Sequence, residues 1–203
     1  MADAARQLVI ACGALAHEIA ALRRLNGWSS LEVHCLAPEL HNRPERIAPA
    51  VREAILTHRD RYARIFVAYA DCGTTGALDA VLREHGVERI EGVHCYQFYA
   101  TAPVFAALTE REPGSFFLTD FLLRHFDRLV FRALGLDRYP QLQAQYFGNY
   151  RRLVYLAQNA DAQAEEAARA IAARLGLEYH FRATGFGELE HSLRRFVVAE
   201  ERR

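Results

Sequence analysis

The chain has 203 residues, of which 51% are apolar and 25% charged, and its formal net charge is zero. This length and composition are typical of one globular domain that buries its core without disulfide bonds, and the balanced charge predicts neither nucleic acid nor an anionic membrane as a partner. Every basic residue is arginine, which excludes Walker-type phosphate loops and all chemistry that needs a lysine Schiff base or a lysine general base.

The first half of the chain alternates short apolar runs with segments of helical periodicity. Strands are predicted at QLVIACG, LEVHCLA, RIFVAYADCG and VERIEGVHCY, and helices at ALAHEIAALRRLN, IAPAVREAILTHRDRY and GALDAVLREHG. The loop PELHNRPER separates the second strand from the second helix. This alternation favours a parallel sheet that is covered by helices on both faces.

The middle of the chain, about residues 98–147, is rich in aromatic residues and is predicted to be a helical insertion. After it come a strand (RRLVYLAQ), a helix (DAQAEEAARAIAARLG), a strand (LEYHFRATG), a closing helix (GELEHSLRRFVVAE) and a frayed tail at 200–203. We therefore predict a single α/β domain over residues 1–203, with a three-layer Rossmann-like fold and a mostly parallel sheet. The aromatic insertion is a candidate surface for a homodimer or a partner enzyme.

Three cysteines and a histidine follow the predicted strands of the first half. Because the carboxyl ends of parallel strands meet at one edge of a sheet, we expect these side chains to converge. A Cys3His set matches a closed tetrahedral zinc site, and three thiolates alone could hold a [4Fe–4S] cluster with one open iron. The predicted metal ligands are Cys12, His41, Cys72 and Cys95.

Such a metal would act as a Lewis acid on a small anionic or sulfur-containing substrate if the protein is an enzyme. Helix N-termini beside Cys12 and Cys72 are expected to lower the pKa of both thiols, and Asp71 is expected to orient His41. The competing interpretation is that the cysteines are small buried apolar groups, which is the role expected of Cys35. His34 and His94 precede cysteines in predicted strands and are expected to face the opposite side.

The turn CGTTG supports a second hypothesis from a different class. Its backbone N–H groups and threonine hydroxyls, at the start of a helix, could bind a phosphate or a carboxylate. The protein would then be a metal-free module that binds a small molecule or a nucleotide. The residues of this candidate cofactor site are Gly73, Thr74, Thr75 and Gly76. Asp120, in the aromatic segment, is expected to cap a helix.

The compartment is expected to be the cytoplasm. The segment MADAARQLVIACGAL lacks the flanks of a signal peptide, and no apolar stretch approaches the length of a membrane span. In a reducing compartment, the four cysteines are expected to be thiols or metal ligands and not disulfides.

Five short segments in chain order resemble the family called domain of unknown function 1638. They are LVIACGAL, LHNRPE, YADCG, VHCYQF and EPGSFFLTDFL, and the resemblance extends from about Leu8 to Phe186. It implies that the recurrent polar positions of the family correspond to Cys12, His41, Cys72 and Cys95.

The resemblance implies no established activity, but it associates the chain with corrinoid-dependent methyl-transfer systems, either as an enzyme or as an accessory factor. The sequence departs from the family pattern at Ala70, where glycine is usual, and at His94, where aspartate is favoured. A glycine–tryptophan pair is also replaced by residues of FLL. These departures indicate a divergent branch with a changed substrate or partner.

Overall fold

The computed structural model describes residues 6–198, so the predicted frayed tail lies outside the described residues. Its strands form two sheets, both entirely parallel, and the Rossmann-like α/β class is thereby confirmed. Chain contacts divide the described residues into two compact units, 6–98 with 188–198 and 99–187. The sequence predicted one sheet interrupted by a helical insertion, whereas the strands of the second half form a sheet of their own.

The strands are β1 (Gln7–Cys12), β2 (Leu31–Leu36), β3 (Arg64–Ala68), β4 (Glu88–Arg89), β5 (Ser115–Thr119), β6 (Arg152–Ala157) and β7 (Glu178–Ala183). The α-helices are α1 (Ala16–Asn26), α2 (Ile47–His58), α3 (Ala77–His85), α4 (Cys95–Ala100), α5 (Ala102–Arg111), α6 (Asp120–Arg124), α7 (Gln143–Phe147), α8 (Ala162–Leu175) and α9 (Gly187–Val198). No helix within residues 6–198 is long and apolar enough to cross a membrane.

The first unit is built around β1, which lies in the middle of the strand order β2-β1-β3-β4. Every residue of β1 is buried, as expected for a continuous apolar run between two parallel neighbours. Both neighbours run parallel to β1, and Cys12 lies opposite Leu36 of β2. The carboxyl ends of β1, β2 and β3 therefore meet at one edge of the sheet, where we predicted a site.

The fourth predicted strand is largely wrong. Only Glu88 and Arg89 pair with β3, and the chain then leaves the sheet. Arg89 fixes this departure, because its guanidinium donates to the carbonyl oxygens of Ile90 at 2.9 Å and Gly92 at 3.4 Å. Cys95 is consequently the first residue of α4 and not the last residue of a strand.

The second unit contains the sheet β5-β6-β7. Strand β5 lies inside the segment 98–147 that was predicted to be helical, so that prediction is corrected. Short apolar runs such as SFFLT suit a buried strand as well as a buried helix. The core of this unit is a cluster that includes Leu118, Leu153 and Tyr155.

Asp120 ties the strand ends of the second sheet together instead of capping a helix. Its buried carboxylate accepts hydrogen bonds from the Tyr155 hydroxyl at 2.8 Å and from the N–H groups of Gln158 at 3.2 Å and Asn159 at 2.8 Å. The cap of α6 is provided by the Thr119 hydroxyl. Because both of its oxygens accept hydrogen bonds from protein donors, Asp120 is a structural group.

Candidate functional site

Cys12 and His41 come together at the carboxyl edge of the first sheet. Cys12 is the last residue of β1, and its thiol accepts a hydrogen bond from the Ala14 N–H at 3.4 Å. His41 lies in the 3-10 turn Pro38–Asn42 that follows β2, and its Nδ1 is 3.6 Å from the Cys12 Sγ. Neighbouring parallel strands thus supply a thiol and an imidazole to the same point, as predicted.

Cys72 lies in a strained turn four residues after the end of β3. Cys72 and Thr75 have φ angles of 49° and 51°, in the left-handed region that non-glycine residues rarely adopt. The Asp71 carboxylate holds the turn, because it accepts hydrogen bonds from the N–H groups of Gly76 at 3.1 Å and Thr75 at 3.3 Å and from the Thr74 hydroxyl at 2.8 Å. A strained backbone held in this way fixes the position of the thiol.

Cys95 reaches the same place from α4. The N–H groups of Asp71 and Cys72 donate to the carbonyls of Gly92 and Val93, both at 3.0 Å, and these two bonds join the turn to the segment before Cys95. The Cys95 N–H donates to the Cys72 thiol, and ionisation of Cys72 or Cys12 would raise the pKa of Cys95. The three sulfurs and His41 are therefore gathered within one unit, although Cys95 arrives by a different route from the one predicted.

Burial, and not helix N-termini, controls the ionisation of these thiols. It raises the pKa of Cys12 to about 12, and the Ala14 N–H offsets only a part of that effect. Burial likewise raises the pKa of Cys72 to about 11 and that of Cys95 well above its usual range. The expectation of lowered thiol pKa values is therefore wrong, and without a bound cation the three thiols are neutral at physiological pH.

The hydrogen bonds of His41 determine which of its nitrogens is available. Nδ1 lies 3.3 Å from the Pro38 carbonyl oxygen, and since a carbonyl only accepts, Nδ1 carries the proton. Nε2 then holds the lone pair; it is buried and has no hydrogen-bond partner among the described residues. Burial lowers the pKa of His41, which keeps the ring neutral. Metal-bound histidines often have this arrangement, with the second nitrogen donating to a backbone carbonyl.

His94 also belongs to the cluster, contrary to the prediction that it faces away. Its ring centroid is 6.4 Å from that of His41, and its Nδ1 is 3.6 Å from the Cys95 Sγ. Nδ1 accepts a hydrogen bond from the Tyr96 N–H at 3.2 Å, so the proton of the neutral ring is on Nε2. Burial lowers the pKa of His94 to about 4. His94 therefore presents a neutral N–H donor, whereas His41 presents a lone pair.

Tyr69 and Arg89 complete the surroundings of the thiols. The Tyr69 hydroxyl is buried beside Cys12 and has no well-formed hydrogen bond to another described residue, and burial raises its pKa. Arg89 forks onto the Asp79 carboxylate at 2.6 and 3.1 Å, and its positive charge favours the ionised form of Cys72. The sequence contains no signal for the roles of Tyr69 and Arg89 beside the thiols, because both roles depend on how β3 and β4 end.

Two further sequence expectations are corrected. Asp71 was expected to orient His41, but its carboxylate holds the turn around Cys72 and the Pro38 carbonyl is the partner of His41. Cys35 was expected to be a buried apolar group, but it is exposed on β2. Its ionisation would raise the pKa of Cys12.

The side chains as they stand do not form a ready-made ion site. Within residues 6–198 there is no group of three or more His, Cys, Asp or Glu side chains arranged to hold a metal ion. The thiols and imidazoles belong to the same unit, but they do not converge on a common point.

In the turn that was predicted to bind phosphate or a nucleotide, the Asp71 carboxylate already accepts the hydrogen bonds. The N–H groups of Thr75 and Gly76 and the Thr74 hydroxyl donate to Asp71, and the Thr75 hydroxyl donates to the Thr74 carbonyl oxygen at 2.8 Å. An incoming anion would have to displace this carboxylate and would meet its negative charge. The ligand-binding role of Gly73 and its neighbours stays a prediction, with its main donors engaged.

Replacing Asp71 by alanine distinguishes two roles of this turn, a structural role in which Asp71 holds it and a phosphate-binding role. We expect the free energy of unfolding to fall by about 1–3 kcal/mol, because the turn loses a charged acceptor and left-handed residues lose their support. Chemical denaturation measures the loss, and the exposed Asp60→Ala serves as the control. A phosphate site would instead show tighter phosphate binding in Asp71→Ala by calorimetry, since its donors would be released.

The comparison with protein families identifies the class of this chain. A family model described as protein of unknown function (DUF1638) matches residues 35–193. The chain belongs to this family, and the resemblance stated from the sequence is confirmed. The matched region contains His41, Cys72 and Cys95, whereas Cys12 precedes it. A search of curated proteins finds no match.

Proposed function

We propose that the first unit binds a thiophilic metal, either a zinc ion or a [4Fe–4S] cluster, through Cys12, Cys72, Cys95 and His41. The single observation that carries the proposal is the contact of 3.6 Å between the Cys12 thiol and the His41 ring, whose Nε2 is buried without a partner among the described residues, in the unit that also carries Cys72 and Cys95. Thiolate and imidazole ligands together suit zinc, and three cysteines suffice for a cluster with one open iron.

The buried lone pair of His41 supports the proposal independently of the thiols. A buried nitrogen without a partner is costly to the fold unless something occupies it. The Pro38 carbonyl holds the ring with Nδ1 protonated, so the free nitrogen is already in the state that a metal requires. His94 is held in the opposite tautomer by Tyr96 and is therefore not assigned as a ligand.

The raised thiol pKa values determine how many protons the site releases when it binds a metal. Cys12, Cys72 and Cys95 hold their protons in the metal-free protein, so a divalent cation must displace up to three protons. The positive charge of Arg89 favours the ionised form of one of these thiols, that of Cys72. Binding would also require the ligands to move, because the described side chains do not form a group arranged to hold a metal ion.

The bound group would give the protein a Lewis acid or an open iron at the sheet edge. The residues around it would then exclude water and present one neutral donor, the Nε2–H of His94, to a small-molecule ligand. The identity of this small-molecule ligand would decide whether the protein is an enzyme or an accessory factor of a partner enzyme. The link to methyl transfer depends on the family resemblance alone and stays a prediction.

Metal and sulfide analysis of protein purified without oxygen tests the proposal. We expect about one zinc ion, or about four iron and four sulfide ions with broad visible absorption, for each chain. If the purified protein contains no metal, one sample is titrated with zinc and another is reconstituted with iron and sulfide. If the chain takes up neither and all its thiols still react with a thiol reagent, the proposal is wrong.

A further inference from the structure

Strand β7 is an exposed edge of the second sheet. It is the last strand in the order β5-β6-β7, and no other strand of the described residues lies beyond it. Its residues 181–183 are all exposed, whereas β5 at the opposite edge is mostly buried. Phe181, a large apolar residue, is 40% exposed. An uncovered edge strand presents unpaired backbone groups to another strand.

The ladder with β6 shows which backbone groups of β7 point outward. The N–H of Glu178 donates to Arg151 at 3.0 Å, and the N–H of Thr184 donates to Ala157 at 2.9 Å. Backbone bonding alternates along a parallel pair, so residues 178, 180 and 182 bond inward to β6. The N–H and C=O groups of Tyr179, Phe181 and Ala183 therefore point to the free edge.

The charges along β7 are arranged so that the strand complements a copy of itself. Glu178 and Arg182 lie two residues on either side of His180. All three side chains share one face of the sheet, because side chains alternate along a strand and His180 Nε2 contacts Glu178 Oε1 at 3.0 Å. A two-fold axis through His180 would bring Glu178 of each copy opposite Arg182 of the other.

We propose that β7 pairs antiparallel with β7 of a second copy of this chain, about a two-fold axis at His180, so that two three-stranded sheets become one. In this register Tyr179 lies opposite Phe181, and both have outward backbone groups, so they form the hydrogen-bonded pairs. The pairing also sets aromatic residues opposite each other on the second face. This single register thus pairs the outward backbone groups, the opposite charges and the aromatic side chains.

The neighbouring register fits less well. A two-fold axis at Phe181 would also match outward backbone groups, but it would set Arg182 opposite His180 and Glu178 opposite Thr184. Both Glu–Arg pairs would be lost. An isologous contact needs a self-complementary patch, and the opposite charges at equal distances from His180 provide one. The occupant favoured by this pattern is therefore a second copy and not an unrelated strand.

Charge reversal and its repair test the pairing in the full-length protein. Analytical ultracentrifugation is expected to show a monomer–dimer equilibrium, with dimerisation at least about tenfold weaker in Glu178→Arg and in Arg182→Glu. The double variant Glu178→Arg with Arg182→Glu should restore the dimer, because the pairs are re-formed with exchanged signs. Glu166→Arg and Arg138→Glu, at exposed positions of the same unit, serve as matched controls.

Cross-linking determines the register. In a Cys35→Ser background, His180→Cys places two thiols at the proposed axis, where Cα atoms of a non-hydrogen-bonded pair are about 4.5 Å apart and can form a disulfide. Oxidation with diamide should link His180→Cys into dimers and leave Phe181→Cys unlinked. A wild-type monomer at all soluble concentrations, a dimer unchanged in every variant, or linkage through Phe181→Cys alone would overturn the proposal.

Discussion

Cys72→Ser is expected to lose the bound metal, whereas Cys35→Ser is expected to retain it in full. Serine keeps the size and the strained backbone position of Cys72 but removes the soft thiolate that zinc or iron prefers. Cys35 is a matched control because it lies on the neighbouring strand, is exposed, and does not belong to the proposed ligand set. Metal content per chain, measured after identical anaerobic purification, gives the comparison.

The folded state of each variant must be established before its metal content is interpreted. Circular dichroism and the midpoint of chemical denaturation show whether Cys72→Ser remains native. His41→Phe is a second variant, since it keeps an aromatic ring beside Cys12 but removes the free nitrogen, and it should weaken zinc binding by at least about tenfold. Retention of full metal content by both folded variants would remove these residues from the ligand set.

The metal-free protein is expected to lose stability steeply above pH 9. Burial raises the folded-state pKa of Cys12 to about 12 and that of Cys72 to about 11, from the value of 9.0 that is usual for a cysteine thiol. Below pH 9 both states hold these protons, and between pH 9 and 11 only the folded state does. The free energy of unfolding should therefore fall by about 1.4 kcal/mol per pH unit for each of the two thiols.

Denaturation of the metal-free protein at pH 8, 9 and 10 measures this slope. Tyrosines also titrate in this range, so the thiol contribution is the difference between wild type and Cys12→Ser. The metal-loaded protein should show no such contribution, because its cysteines are already ionised and their ligation requires no further proton loss. Equal slopes in wild type and Cys12→Ser would mean that the thiol is not held protonated by burial.

The first sheet could be predicted from the sequence because its strands are continuous apolar runs followed by amphipathic helices. Strand β1 is buried along its whole length, and α3 ends at Gly86 with the left-handed conformation expected of a C-cap. Two segments were assigned wrongly for a physical reason. The apolar run SFFLT is too short for its pattern to distinguish a strand from a helix. The end of β4 depends on hydrogen bonds of the Arg89 side chain, which local secondary-structure propensity cannot predict.

The same limits explain the errors at the site. Topology was enough to gather Cys12, His41 and Cys72, since they follow three adjacent parallel strands. His94 was placed on the wrong side because side-chain alternation was applied to a segment that is not a strand. The thiol pKa values were predicted in the wrong direction because the cost of burial, which depends on tertiary packing, exceeds the effect of nearby N–H groups.

X-ray absorption spectroscopy of the metal-loaded protein tests most directly whether residues distant along the chain share one ion. For zinc, we expect a first shell of about three sulfur atoms near 2.3 Å and one nitrogen near 2.0 Å. Loss of one sulfur in Cys95→Ser and of the nitrogen in His41→Phe would assign the atoms. A shell of nitrogen and oxygen alone, or one that none of these substitutions changes, would contradict the site.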